Sequence, residues 1–122
     1  MVLNMLVYAR TRFVAFHQWE NAPEVYAYLA AVHRHEFHVE VGARVRLSDR
    51  EVEFHTLKLE LNAVIKSLYK DNGATPSSVP IKDSCEVIAS KIACEMRERF
   101  RQDVVYVDVS EDGECGGRVS YE

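Results

Sequence analysis

Polar and apolar side chains alternate most clearly after residue 33. Phe37, Val39 and Val41 fall on one side of an extended segment, and His33 and His35 lead that side. Glu36, His38 and Glu40 take the other. A period of two is the signature of a strand with one covered face, and it predicts a strand over 33–47. Residues 2–18 read as a second strand, with Leu6, Tyr8, Phe13 and Phe16 among β-favouring neighbours. Its last part, Phe13-Val14-Ala15-Phe16-His17, alternates and ends in a histidine. Between the two, 20–32 is a connection. Ala22-Pro23-Glu24 can open a short helix there, because proline suits a first turn.

The period then lengthens. Leu57, Leu61, Val64, Ile65 and Leu68 recur at helical spacing and predict a helix over 55–70. Ile88, Ile92, Met96 and Phe100 do the same for 84–101. Asp83 or Ser84 would cap that helix, with Glu86 in its first turn. Asn72-Gly73, Pro76 and Pro80 mark 71–82 as a loop. Ser48-Asp49-Arg50 reads as a turn and 51–54 as a short return strand. Val104 to Val109 is a strand, Glu111 to Gly117 a turn, and Arg118 to Tyr121 the last strand. No repeat, linker or low-complexity tract interrupts 1–122. The order β-β-α-α-β-β predicts one α+β domain, a four-stranded antiparallel sheet with two helices on one face.

Composition narrows the function classes. At 122 residues the chain can bury a real core, and 48% hydrophobic with 28% charged residues are globular values. A formal charge of −4 without a basic stripe argues against nucleic acid as a partner. No apolar run reaches membrane-spanning length, and Met1-Val2-Leu3-Asn4 lacks the basic start of a signal peptide. Cys85, Cys94 and Cys115 are odd in number and lack paired metal spacing, so a reducing cytoplasm is the expected setting.

The chemistry-bearing residues are histidines. All five lie between positions 17 and 55. His33 and His35, two apart on a strand, point to one face, their bases roughly 6–7 Å apart. If the first strand pairs beside them, His17 supplies a third nitrogen. Three histidines with an open fourth position are the usual catalytic zinc arrangement. Isolated histidines are more often plain core or surface residues.

Five blocks taken together resemble the 6-pyruvoyltetrahydropterin synthase and 6-carboxytetrahydropterin synthase group of tunnelling-fold proteins. They are Phe13-Val14-Ala15-Phe16-His17, then His33-Arg34-His35-Glu36-Phe37, then Val52-Glu53-Phe54-His55-Thr56-Leu57-Lys58, then Ser84-Cys85-Glu86-Val87-Ile88-Ala89, and Val107-Asp108-Val109-Ser110-Glu111-Asp112. They look like the family's F-x-A-x-H, H-G-H, V-x-D-F-x-x-L-K, T-T-E-N-x-A and V-x-V-x-E-T segments, in order and across nearly the whole chain. The resemblance implies zinc on His17, His33 and His35. It implies that Glu111 anchors a pterin or purine ring, since a carboxylate accepts two adjacent N–H groups in parallel. Groups near Ser84, Cys85 and Glu86 would complete ring recognition. It also implies a pocket between subunits of a homotrimer or homohexamer whose sheets close into a barrel.

The chain departs from that family where protons move. The family's catalytic cysteine precedes H-G-H, but Tyr26 to Val32 contains no cysteine. The family's Asp-His pair after the first helix corresponds by length to Tyr69-Lys70. Candidate substitutes are His55, Glu24 or Glu20, Cys85, and Tyr69 or Lys70. Each also has an ordinary reading as a cap, a packing residue, a solvated loop acid or a charged helix end. Two functions fit. One is a zinc-dependent enzyme acting on a pterin or purine-derived substrate, as in tetrahydropterin or 7-deazaguanine formation. The other is a zinc-containing pterin- or purine-binding protein without turnover.

Overall fold

A computed structural model describes residues 4–46, 49–69 and 79–121. Met1 to Leu3, Ser48, Lys70, Asn72-Gly73 and Pro76 lie outside the described residues. Strand β1 spans Met5–His17 and leads through a 3-10 helix, Glu24–Ala30, into β2, His33–Val45. Helices α1, Phe54–Leu68, and α2, Cys85–Phe100, follow, then β3, Val104–Glu111, and β4, Cys115–Ser120. The sheet order is β1-β2-β3-β4, with every neighbouring pair antiparallel. This is the β-β-α-α-β-β arrangement read from the periodicity.

One sheet face carries the core. Ala9, Ala15, Phe37, Val39, Val41, Val107 and Val109 meet Leu57, Leu61 and Val64 of α1 and Ile88, Ile92 and Met96 of α2. Phe13 stacks on Phe37 at 5.3 Å and on Tyr69 at 6.3 Å between ring centroids. The Thr11 hydroxyl donates to Asn62 Oδ1 at 2.7 Å, tying mid-β1 to mid-α1. The opposite sheet face carries charge pairs instead: Arg10 with Glu40, Arg12 with Glu36 and Arg118 with Asp108, and there His38 Nε2 meets Glu36 Oε1 at 2.8 Å. There the Tyr106 ring lies over Gly42, so close that a Cβ on residue 42 would stand 1.9 Å from it. The Tyr106 hydroxyl donates to Glu40 at 2.6 Å.

The expected return strand over 51–54 does not form. Glu53 instead caps α1, its carboxylate accepting from the backbone N–H groups of His55 and Thr56 at 3.1 and 3.0 Å. That local bond wins over a four-residue alternation. The last hairpin is also tighter than expected. Its turn is Asp112-Gly113, both at positive φ as a type I′ turn requires, and the Glu114 N–H donates to the Glu111 carbonyl at 3.1 Å. Gly116 and Gly117 therefore lie in β4, not in the turn. A Cβ on Gly117 would reach within 3.0 Å of Glu86 Cγ, so this glycine lets β4 pass the start of α2.

Candidate metal centre

Backbone pairing assembles the histidines. In the β1–β2 ladder His17 lies opposite His33 and Ala15 opposite His35. The rings of His17 and His33 lie 5.4 Å apart, His17 and His35 6.0 Å, and His33 and His35 4.7 Å. Glu111 comes from the end of β3, where the β2–β3 ladder sets it opposite Phe37. Each of these four residues offers one ligand atom, and the four atoms lie within 4.8 Å of one another. This group can hold a metal ion.

The hydrogen bonds around the group fix which nitrogens face inward. A carbonyl only accepts, so His17 Nε2 donates to the Asp83 carbonyl at 2.7 Å. His33 Nδ1 donates to the Ala31 carbonyl at 2.8 Å. His35 Nδ1 donates to Asp112 Oδ2 at 2.8 Å. Each ring thus commits one nitrogen to an outer acceptor and leaves a lone pair on the other. Metal-binding histidines are oriented in this way. His17 is 8% exposed and its Nδ1 is buried without a hydrogen-bond partner. Burial holds His17 below the ordinary imidazole range, which keeps that lone pair free near neutral pH.

Glu111 supplies the decisive contact. Its Oε2 stands 2.9 Å from His35 Nε2 and 3.5 Å from His17 Nδ1. With the ring tautomers above, these are acceptors facing acceptors, and such contacts need a proton or a cation between them. Two ligands on a tetrahedral zinc lie about 3.3–3.4 Å apart for Zn–N bonds near 2.0–2.1 Å. Imidazoles and a carboxylate are zinc-compatible donors; the Glu111 contacts lie near that spacing, and the four ligand atoms lie within 4.8 Å of one another.

A cavity of about 640 Å³ opens beside the group. His17, His33 and Glu111 form its floor, and Ser84, Cys85 and Glu86 at the start of α2 form one wall. The chain brings that wall in by a strap. Ile81 bridges to His17 in parallel, with Gln18 N–H donating to the Ile81 carbonyl and Ile81 N–H to the Phe16 carbonyl, each at 2.9 Å. Trp19 and Leu29 also line the cavity. The Trp19 N–H donates to the Leu29 carbonyl at 2.9 Å, and its ring stacks on Tyr26 at 5.6 Å. Ser84 is the cap of α2, its hydroxyl accepting from the Val87 N–H at 3.2 Å. Cys85 is buried, and burial followed by the nearby Glu111 charge pushes its thiol up to about 12.

The remaining candidates sit elsewhere. His55 is exposed at the first turn of α1. Tyr69, just past the other end of that helix, is roughly 21 Å away along the axis by helical rise. Glu24 is exposed on the 3-10 helix and Glu20 pairs with Lys82 at 2.8 Å; neither lines the cavity. The Tyr69 hydroxyl donates to Asp83 Oδ2 at 3.1 Å, which Lys91 also binds at 2.7 Å. Periodicity did not point to Asp83, Asp112, Trp19, Leu29 or Cys115, although all but Asp112 line the cavity and Asp112 holds His35. The Asp112-Gly113 pair signals a hairpin and nothing metal-specific.

No family model matches the chain, and no curated protein sequence does. Solved structures do. One is an uncharacterized protein from Wolinella succinogenes, with TM-score 0.68 and 13% identity over 99% of this chain and 100% of that one. Another is the 6-pyruvoyl tetrahydropterin synthase of Caenorhabditis elegans, with TM-score 0.64 and 13% identity over 98% of this chain and 97% of that one. The chain has the pterin-synthase fold. At that identity the likeness concerns the fold, and the chemistry rests on the four clustered side chains. Among the described residues no helix is long and apolar enough to cross a membrane.

Proposed function

We propose that this protein is a zinc-dependent enzyme acting on a pterin or purine-derived substrate in the cavity beside His17, His33 and His35. The observation that carries the reading is the set of three imidazoles, each anchored through one nitrogen and turning the other inward. Zinc bound there would polarise a carbonyl or hydroxyl of the substrate. Glu111 stands between the histidines and the start of α2, where a ring with adjacent N–H donors would meet a carboxylate. Ser84, Cys85 and Glu86 would border that ring, and Trp19 with Leu29 would exclude water from its other side. Of the candidate proton carriers His55, Glu24 and Cys85, only Cys85 borders the cavity. The β1 and β4 edges favour closure into a trimeric or hexameric barrel, which hides them. A cytoplasmic setting suits three free cysteines.

A second reading, a pterin- or purine-binding protein without turnover, draws support from Tyr69. Its hydroxyl, at the place of the family's Asp-His pair, is tied to Asp83 and pushed up by burial. Three measurements test the site and separate the readings. A thermal-shift screen of pterins and purine nucleotides identifies the ring, and calorimetry then compares wild type with Glu111→Gln. The variant turns one acceptor into a donor facing a donor, so ring affinity should fall about ten- to a hundred-fold, and zinc content measured beside it reads the part Glu111 plays in the metal group. Equal affinities would remove Glu111 from the ring site, and lost zinc would make it a fourth metal ligand. Conversion of that ligand to a product resolved by chromatography marks the enzyme, and saturable binding without turnover marks the binder.

A further inference from the structure

The far end of the molecule carries a second concave site. Arg44, Arg46, Arg97 and Arg101 line a cavity of about 780 Å³ together with Asp103, Val105 and Tyr121. It lies at the C-terminal end of α2, whereas the metal centre lies at its N-terminal end, roughly 24 Å away by helical rise over 16 residues. The chain carries 15 basic against 19 acidic residues, so four arginines around one hollow run against its overall charge.

The pairing pattern makes this hollow distinct. Arg10, Arg12, Arg46, Arg50, Arg99 and Arg118 each have a carboxylate partner. Among the described residues, Arg34, Arg44, Arg97 and Arg101 have none, and three of those four converge here. Arg46 is held by Glu51 and Asp103 at 3.7 and 3.5 Å. The Arg97 guanidinium lies 3.8 Å over the Tyr121 ring, which orients the fork without neutralising it. Arg101 takes φ 55 and ψ −138, backbone that favours glycine, at the position where α2 ends. A favourable helix dipole accounts for basic residues in a last turn. It does not account for Arg44, which comes from β2.

We propose that this arginine cavity binds a small, multiply charged phosphate oxyanion of the di- or triphosphate class. Planar guanidinium forks match phosphate oxygens in pairs, and among the described residues one lining acid stands against four arginines. Its concave shape suits a small soluble ligand over a flat membrane. The inference stands apart from the metal centre and does not rest on its proposed function.

Calorimetry of the full chain with tripolyphosphate and orthophosphate tests it. Tripolyphosphate should bind saturably and at least ten-fold more tightly than orthophosphate. Arg44→Gln/Arg97→Gln/Arg101→Gln should weaken it ten-fold or more, and Arg50→Gln should leave it unchanged. Arg44→Gln/Arg101→Gln, both at exposed positions, keeps the test valid if loss of the Arg97–Tyr121 contact unfolds the triple variant. Metal ions also bind phosphate oxygens, so the titration is repeated on His33→Ala/His35→Ala, where binding should persist. Absence of saturable binding, binding indifferent to the arginines, or binding lost with the histidines overturns the proposal. So does capture by phosphatidic acid vesicles without affinity for soluble tripolyphosphate.

Discussion

Asp112 and Cys85 show how much at this site is decided by single contacts. Asp112 holds His35 through Oδ2 and accepts the Glu36 N–H through Oδ1 at 3.0 Å. That backbone bond, then the His35 bond, keeps its carboxyl below the usual carboxylate range, so it is ionised at neutral pH and polarises the ring. Removing such an outer partner typically costs ten- to a hundred-fold in metal affinity. Asp112→Ala should show that loss in a chelator competition, with Asp112→Asn between the two; unchanged affinity would make the contact incidental. Cys85, with its thiol pushed up to about 12, stays protonated at pH 8. Iodoacetamide at that pH should label Cys94 and Cys115, which are exposed, and reach Cys85 only after denaturation. Rapid labelling of all three would contradict the burial. The shared face of His33 and His35 was legible in the sequence because a period of two assigns faces without tertiary information, whereas His17 joins them only because β1 pairs beside β2. Asp83 and Asp112 were not, since the strap at Ile81 that delivers Asp83 and the contact of Asp112 with His35 and Glu36 join residues distant in sequence.

Strands β1 and β2 and both helices follow their periodicities closely, and the misreadings fall where short local bonds compete. Val52 alternates with its neighbours as a strand would, yet Glu53 satisfies the first N–H groups of α1 and ends the alternation. The hairpin boundary moved because glycines at 116 and 117 read as turn residues, when close packing of β4 requires them. Gly42 is the clearest such requirement. Alanine there would place a Cβ inside the Tyr106 ring, which is held by its bond to Glu40 and by Arg118 above it at 4.5 Å. Overpacking of this kind costs about 1–3 kcal/mol. Gly42→Ala should therefore lower Tm by several degrees, on the order of 4–8 °C per kcal/mol in a domain near this size. An unchanged Tm would mean that the ring moves aside freely.

For the whole molecule, the uncovered sheet face and the two strand edges bear on assembly. Arg10, Arg12, Glu36, Glu40, Asp108 and Arg118 make that face polar, as the lining of a water-filled barrel would be. Light scattering should give a mass three or six times the 14.0 kDa of one chain; a monomer would remove the barrel and the shared pocket with it. The metal centre is the more direct test, because every step of the functional reading starts from it. Metal analysis of the purified protein and of His33→Ala/His35→Ala, with circular dichroism to verify folding, decides the matter. The expected result is one zinc per chain in the wild type and none in the folded variant. Full zinc occupancy in that variant, or a wild type that takes up no zinc, would contradict it.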